Sequence, residues 1–260
     1  MAISGPNIGT SAFNETGQRA MSAARARVRL VASPGRLSEM IGRSVEITIT
    51  LGSNHSYDRN DLINKLRALG STPAVVVISG DLVAQNTGVP CLEFPSNLPN
   101  EYVHLRVNAN VYGRGGAGCS NGQTSGLPGG PCILNSFGTR LRIENNAAIC
   151  GGGGGGGGVK VGKNVVSGGS GGRPFGAAGV ASGRDSINGN AASLTAPGGT
   201  PAKTRYGTTG GAGGNVGAAG AAGTNDGGNI TNYPGGAAGA AVYGNAPTWI
   251  KVGSVYGSRV

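Results

Sequence analysis

Eight consecutive glycines fill positions 151–158, inside the stretch ICGGGGGGGGVKVG. Glycine loses more conformational freedom on folding than any other residue. Such a run is therefore either a flexible linker or a structure that only glycine can build. Of the 53 glycines, 9 lie in residues 1–111 and 44 in residues 112–260, with a sharp boundary near Tyr112. In the second part the filler is alanine, whereas disordered chains favour Glu, Lys, Ser and Gln. The glycines are also spaced. From Gly211 they recur at 214, 217, 220 and 223, and the same step of three appears in GGAAGAAV (235–242) and GAAG (176–179).

A helix with three residues per turn is of the polyproline II type and has no internal hydrogen bonds. All its N–H and C=O groups need outside partners. Two such helices can supply each other if the touching faces carry no Cβ. A glycine every third residue bares one face, and a helix surrounded on all sides needs glycine throughout. The run 151–158 is thus expected as the central helix of a bundle, about 25 Å long. The fold expected of residues 112–260 is a polyglycine type II helix sandwich with few or no α-helices. Collagen needs long uninterrupted Gly-X-Y with abundant proline, and the triplets here are short and lack it. Against a disordered tail stands the strand-like, aromatic close of the chain, VYGNAPTWIKVGSVYGSRV (242–260).

Residues 1–111 read as a small α/β domain. GQRAMSAARARVRLVAS (17–33) has helical spacing of Ala20, Met21, Ala24, Val28 and Val31, with Arg19, Arg25, Arg27 and Arg29 as a solvated basic face and a stop at Pro34-Gly35. SVEITITLG (44–52) alternates as a strand, DRNDLINKLRALG (58–70) is a capped helix ending at Gly70, and PAVVVISG (73–80) is a buried strand. Strand, helix, strand suggests a βαβ unit, with further strands at 91–94 and 102–112. There is an internal echo: LRVNANVYGRGG (105–116), LRIENNAAICGGG (141–153) and WIKVGSVYG (249–257) share a strand-like entry, which implies that the chain returns repeatedly to one packed body.

The charge balance narrows the function. Residues 1–111 carry 10 Lys+Arg against 8 Asp+Glu, and residues 112–260 carry 11 against 3. A positive field favours anionic partners. The second part's cations are scattered singly, without the dense stripe or aromatic platform of a nucleic-acid footprint. The start, MAISGPNIGT, reads as carrying no secretory signal, and the longest apolar run, AVVVI (74–78), is far too short for a membrane span. Cys91, Cys119, Cys132 and Cys150 include no CxxC, and with His55 and His104 as the only histidines no metal site or other cofactor is expected; the thiols read as reduced and buried. GGVKVGKN (157–164) approaches a P-loop but has Asn164 where Ser or Thr would hold the metal, and no strand–turn–helix context. His55 with Asp58 and His104 with Glu101 read as surface or turn residues. Acid–base material is poor, and the chain is not expected to be an enzyme.

Five polar stretches interrupt the glycine segments: CSNGQTSG (119–126), VKVGKNVVS (159–167), ASGRDSINGNAASLTA (181–196), KTRYGTT (203–209) and TNDGGNITNY (224–233). If the helices run antiparallel, alternate connections emerge at one end, and loops on a rigid scaffold carry recognition. The candidate recognition residues are Asn121, Gln123, Lys160, Lys163, Asn164, Arg184, Asp185, Asn188, Lys203, Arg205, Tyr206, Asn225, Asp226, Asn229 and Tyr233.

The MAISGPNIGT start, the α/β first part and the motifs YGRGGAGC, GGPC and ICGGGGGGGG together resemble the distal long-tail-fibre adhesins of T-even-type bacteriophages, over essentially the whole chain. The resemblance implies a fibre-attachment domain at 1–111 that docks on a trimeric long-tail-fibre protein. It also implies a polyglycine II receptor-binding domain at 112–260, whose variable loops bind a bacterial outer-membrane protein such as a porin, or lipopolysaccharide, and set host range. The expected location is the virion, at the tip of the long tail fibre, after assembly in the host cytoplasm. Two other readings stand beside it: a tail-fibre assembly chaperone and a polyglycine II ice-binding protein.

Overall fold

The computed structural model describes residues 2–31, 35–227 and 230–260. Two expected features, the helix stop at Pro34 and the recognition role of Asn229, fall outside the described residues.

The first 41 residues form a small helical unit. Helix α1 (Ile8–Thr16) ends at Gly17, whose left-handed φ of 69° and N–H to Phe13 O close it. Helix α2 (Met21–Arg27) follows. The single helix expected over 17–33 is thus corrected: Gly17 closes the preceding helix, and Ile3, Ala12, Ala24, Val28 and Met40 make a separate apolar core. Arg25 is corrected too. It is 2% exposed, donates to Val31 O and Arg36 O at 2.7 Å and pairs with Glu39 at 2.7 Å. The guanidinium donates to carbonyls of the chain that follows α2.

From Ile47 onward the regular secondary structure is mostly sheet. Five strands pair in parallel in one sheet: Ile47–Leu51, Ala74–Ile78, Val103–Val107, Leu141–Asn145 and Thr248–Lys251. A short corner after each leads to a strand of a second parallel sheet: Asn54–Tyr57, Leu82–Ala84, Val111–Tyr112, Ala148–Cys150 and Ser254–Tyr256. A third sheet holds Leu92–Phe94, Ile133–Asn135 and Val242–Gly244. The chain visits the faces in the same order each time, so this part is a parallel β-solenoid. The internal echo in the sequence is its repeated first corner. Helix α3 (Arg59–Ala68), capped by Asp58 accepting from Asn60 N, takes the place of the third-sheet strand in the first coil and buries Leu62, Ile63 and Leu66. Residues of equal register stack inward, as Val76, Leu105 and Ile143 do. Two buried asparagines hold coils together. Asn145 donates to Val252 O and Ser254 O at 2.7 and 2.8 Å, and Asn135 donates to Gly138 O and Asn245 O.

The glycine segments are inserted between the second and third faces of the coils, at 113–131 and 151–241. Strands on both sides of residue 111 therefore share the same sheets and one apolar core running from Leu51 to Val242. Among the described residues no α-helix follows Ala68.

The run 151–158 is buried throughout, and its hydrogen bonds repeat every three residues. Gly152 and Gly155 donate to Gly130 and Leu127; Gly153 and Gly156 to Arg173 and Ser170; Gly154 and Gly157 to Ala218 and Ala221. The carbonyls of the same pairs accept from Gly239 and Gly236, from Gly116 and Cys119, and from Gly214 and Gly211. Six neighbouring segments are thus each met once per turn of three. A Cβ at any of positions 151 to 157 would stand 1.9–2.1 Å from a neighbour's carbonyl oxygen, so no other residue fits. The period-three stretch 211–223 is two segments: the chain reverses at Gly217 (φ 66°), whose N–H binds Gly151 O.

Candidate functional site

The solenoid lies at one end of the 151–158 segment, where Gly151 N–H reaches Tyr256 O. Four of the five polar stretches, and residues 181–188 of the fifth, meet at the other; its remainder runs back along the core, so that Leu194 packs near Tyr112 and Cys150 at the solenoid end. After Gly158 the chain forms a hairpin, Val159–Val161 against Asn164–Ser167, and Ile230–Asn232 pairs with the hairpin's other edge. Ser167 bridges to Ile187 and bonds Thr208 Oγ1 at 2.7 Å. Thr208–Thr209 pairs with Thr224–Asn225. The Asn121 carboxamide oxygen accepts Val165 N–H at 2.9 Å, and Asn121 N–H donates to Val180 O. The reason is local. Each connection reverses direction between glycine segments; its charged side chains stay at the rim, while Val159, Val165 and Thr208 are buried beneath them.

Every described candidate recognition residue sits on this rim, in differing roles. Lys163, Arg184, Asp185, Lys203, Arg205, Tyr206 and Asp226 are exposed. Lys203 pairs with Asp226 at 2.6 Å and Arg205 with Asp185 at 2.8 Å, each ion pair tying one loop to the next. Arg184 approaches Asp185 at 3.7 Å. Exposed pairs of this kind are screened by solvent; they set loop positions more than stability. Arg205 also donates to the Tyr206 hydroxyl at 3.0 Å and lies over its ring. Asp185 holds a left-handed φ of 59°, where a non-glycine residue is uncommon. Three residues shape the loops themselves. Asn188 accepts Ala181 N–H, Asn225 accepts Gly227 N–H, and Asn164 sits in the hairpin opposite Val161. Asn121, Gln123, Lys160, Lys163 and Tyr233 line a cleft of about 120 Å³.

A second surface was not foreseen from the sequence. On the N-terminal unit and just after it, Phe13, Met21, Leu37, Ile41 and Ile47 are each at least 37% exposed. A separate cleft of about 500 Å³ opens between the N-terminal segment and α1, lined by residues such as Pro6, Asn7 and Ser11. Apolar side chains concentrated on one small unit mark a contact surface. They escaped notice because Met21 and Ile47 read as the buried side of a helix and a strand, whereas Phe13, Leu37 and Ile41 fall outside any marked period.

Of the chemistry-like motifs, none assembles a reactive centre among the described residues. His104 faces Glu144 at 3.1 Å, not Glu101, and Arg106 shares that carboxylate at 3.0 Å. Asp58 is a helix cap, and Lys163 sits at a hairpin turn beside Gly162 (φ 59°). All four cysteines are free and buried; burial pushes the Cys150 thiol up to about 12. No group of three or more His, Cys, Asp or Glu among the described residues could hold a metal ion. No helix among them is long and apolar enough to cross a membrane.

The receptor-recognizing protein gp38 of Salmonella phage S16 is 46% identical over 260 residues, covering 99% of each chain. The crystal structure of the gp37-gp38 adhesin tip complex of the bacteriophage S16 long tail fiber contains a chain that matches with a TM-score of 0.81 and 42% identity over the full length of both. The family model for the N-terminal domain of phage tail fibre adhesin Gp38 matches residues 1–41, the helical unit with its own core. The model for phage tail fibre adhesin Gp38 matches residues 45–260, the solenoid and everything inserted in it. The chain belongs to the phage tail fibre adhesin Gp38 family.

Proposed function

We propose that this chain is the receptor-recognising adhesin at the tip of a phage long tail fibre. In this reading it grips a bacterial outer-membrane receptor, a porin-type protein or lipopolysaccharide, through the rim loops and so sets host range. The observation that carries the reading is the convergence of five polar loops on one end of a buried glycine core. The core is read as a polyglycine II sandwich, on the strength of the three-residue hydrogen-bond repeat around 151–158. Such a core holds its loops stiffly, so little ordering entropy is lost on binding. Attachment to a trimeric long-tail-fibre protein falls to residues 1–111, chiefly through the exposed apolar side chains of the first 47 residues. Recognition falls to residues 112–260. The division is one of surfaces rather than separately folded bodies, since strands of both parts share sheets. The action is binding without catalysis, and several fibres per virion would add avidity.

The test is adsorption of the purified protein to cells lacking single outer-membrane proteins or carrying truncated lipopolysaccharide. Adsorption is expected to vanish on one such strain. Lys203→Ala and Tyr206→Ala are expected to weaken adsorption by about tenfold, the effect of a modest interface hot spot, with unchanged thermal melting. Full adsorption by both variants removes their loop from the site.

A further inference from the structure

The cleft between the 119–124 loop and the hairpin has an unusual chemistry. Asn121 and Gln123 each spend the side-chain oxygen on the protein's own backbone: Asn121 Oδ1 accepts Val165 N–H at 2.9 Å and Gln123 Oε1 accepts Ser120 N–H at 2.8 Å. Those bonds fix both amides in one orientation, leaving Nδ2 and Nε2 as donors. Lys160 and Lys163 line the same cleft and have no partner among the described residues, nor have the hydroxyls of Thr124 and Tyr233. No Asp or Glu lines it. Elsewhere on the rim Lys203 and Arg205 are already met by Asp226 and Asp185. The cleft therefore brings uncompensated cations and free amide donors together on the rim. Its backbone is held by Tyr233 N–H to Gly158 O and Asn121 N–H to Val180 O, so the donors are pre-positioned.

We propose that this cleft is a subsite for the phosphoryl group of a surface saccharide. The proposal rests on the adhesin reading above and narrows its ligand. A phosphoryl group brings several acceptor oxygens and negative charge to a site that offers donors and positive charge. The cleft volume of about 120 Å³ is that of roughly four waters, room for a phosphoryl group but not a whole sugar. The ring would lie at the mouth, with its hydroxyls against Thr124 and Tyr233. A protein carboxylate would use only part of this donor set.

The test is titration of the full chain with glucose 6-phosphate, glucose, inorganic phosphate and a hexaglutamate peptide, read by NMR of the Asn121 and Gln123 side-chain amides. Glucose 6-phosphate is expected to shift both amides and to bind more tightly than the other three probes. Joint Lys160→Gln and Lys163→Gln substitution is expected to weaken it by about tenfold, with Lys203→Gln without effect. Joint Lys160→Arg and Lys163→Arg keeps the charge and should keep the binding; loss there with unchanged melting overturns the proposal. Binding indifferent to the Gln pair overturns it, as does glucose 6-phosphate no tighter than phosphate or hexaglutamate. Adsorption to cells is scored in parallel so that the two readings separate. Adsorption that depends on Lys203 and Tyr206 without sugar-phosphate binding sinks the subsite alone. Sugar-phosphate binding with adsorption indifferent to every rim substitution sinks the receptor reading alone.

Discussion

Replacing Gly154 by alanine adds one methyl group at the centre of the glycine core. Its Cβ would stand 1.9 Å from Gly236 O and 2.5 Å from the Gly236 carbonyl carbon. A comfortable carbon–oxygen contact is about 3.3–3.6 Å, so the two segments must part by roughly 1.5 Å. Gly236 cannot yield freely: its N–H binds Gly155 O at 2.7 Å and its carbonyl accepts Gly220 N–H at 3.0 Å. If the central segment moves instead, it strains Gly154 N–H to Ala218 O and Gly214 N–H to Gly154 O. Overpacking of this kind costs about 1–3 kcal/mol, and each buried hydrogen bond left unmade adds about 1–3 kcal/mol. The stiffer unfolded chain returns only about 0.4–1 kcal/mol. The net expectation is a loss of about 3–5 kcal/mol, or a fall in Tm on the order of 10 °C for a chain of this size. Gly199→Ala is the control, because nothing lies within 4 Å of its added Cβ, and it should stay within about 1 kcal/mol of the parent. Scanning calorimetry measures both. A Gly154→Ala protein melting within about 2 °C of the parent would refute the claim that glycine is required by close approach of backbones.

Asn145→Ala removes the donor that holds Val252 O and Ser254 O and should free the last coil, detected as early proteolytic cleavage near residue 250 and a loss of about 2–4 kcal/mol. Arg25→Met leaves the Val31 and Arg36 carbonyls and Glu39 without their guanidinium; melting of the N-terminal unit should fall by several degrees while the solenoid transition stays, and coincident unchanged transitions would contradict the assignment. Glu144 is held below the ordinary carboxylate range, chiefly by its hydrogen bond to Arg106 and then by that to Asn146. Its folded value being lowered, its contribution is present above the unfolded value and is lost as pH falls through the folded one. The acid limb of a Tm-against-pH curve should therefore flatten in Glu144→Gln. Native Cys91 and Cys150, whose thiols burial pushes up, should resist alkylation at pH 8 and react only after unfolding.

Some of this protein could be read from the residues alone because the cause is local. Eight residues without Cβ at 151–158 are a property of the chain itself, and keeping them ordered demands closely packed neighbours whatever their identity. Asp58 and the leucine spacing after it specify α3 for the same reason, and the polar stretches are legible as connections because glycine segments flank them. Other features depended on which distant segments come together. The period of three across 211–223 reads as one rod, yet Gly217 folds it into two, because the turn is chosen by Gly151 and Tyr256 from elsewhere in the chain. Arg25 reads as solvated because the carbonyls it satisfies lie beyond its own helix. The composition break at Tyr112 marks where insertions begin, while the sheets run through it: parallel register joins Val103–Val107 to Leu141–Asn145 and then to Thr248–Lys251, across about a hundred intervening residues. Hydrogen-bond partners in a parallel sheet leave no trace in either strand's own pattern. The donor-only cleft is the sharpest case: Gln123 is turned by the nearby Ser120 N–H, but the direction of the Asn121 amide is decided by Val165 N–H, 44 residues on, which only the folded chain brings within reach.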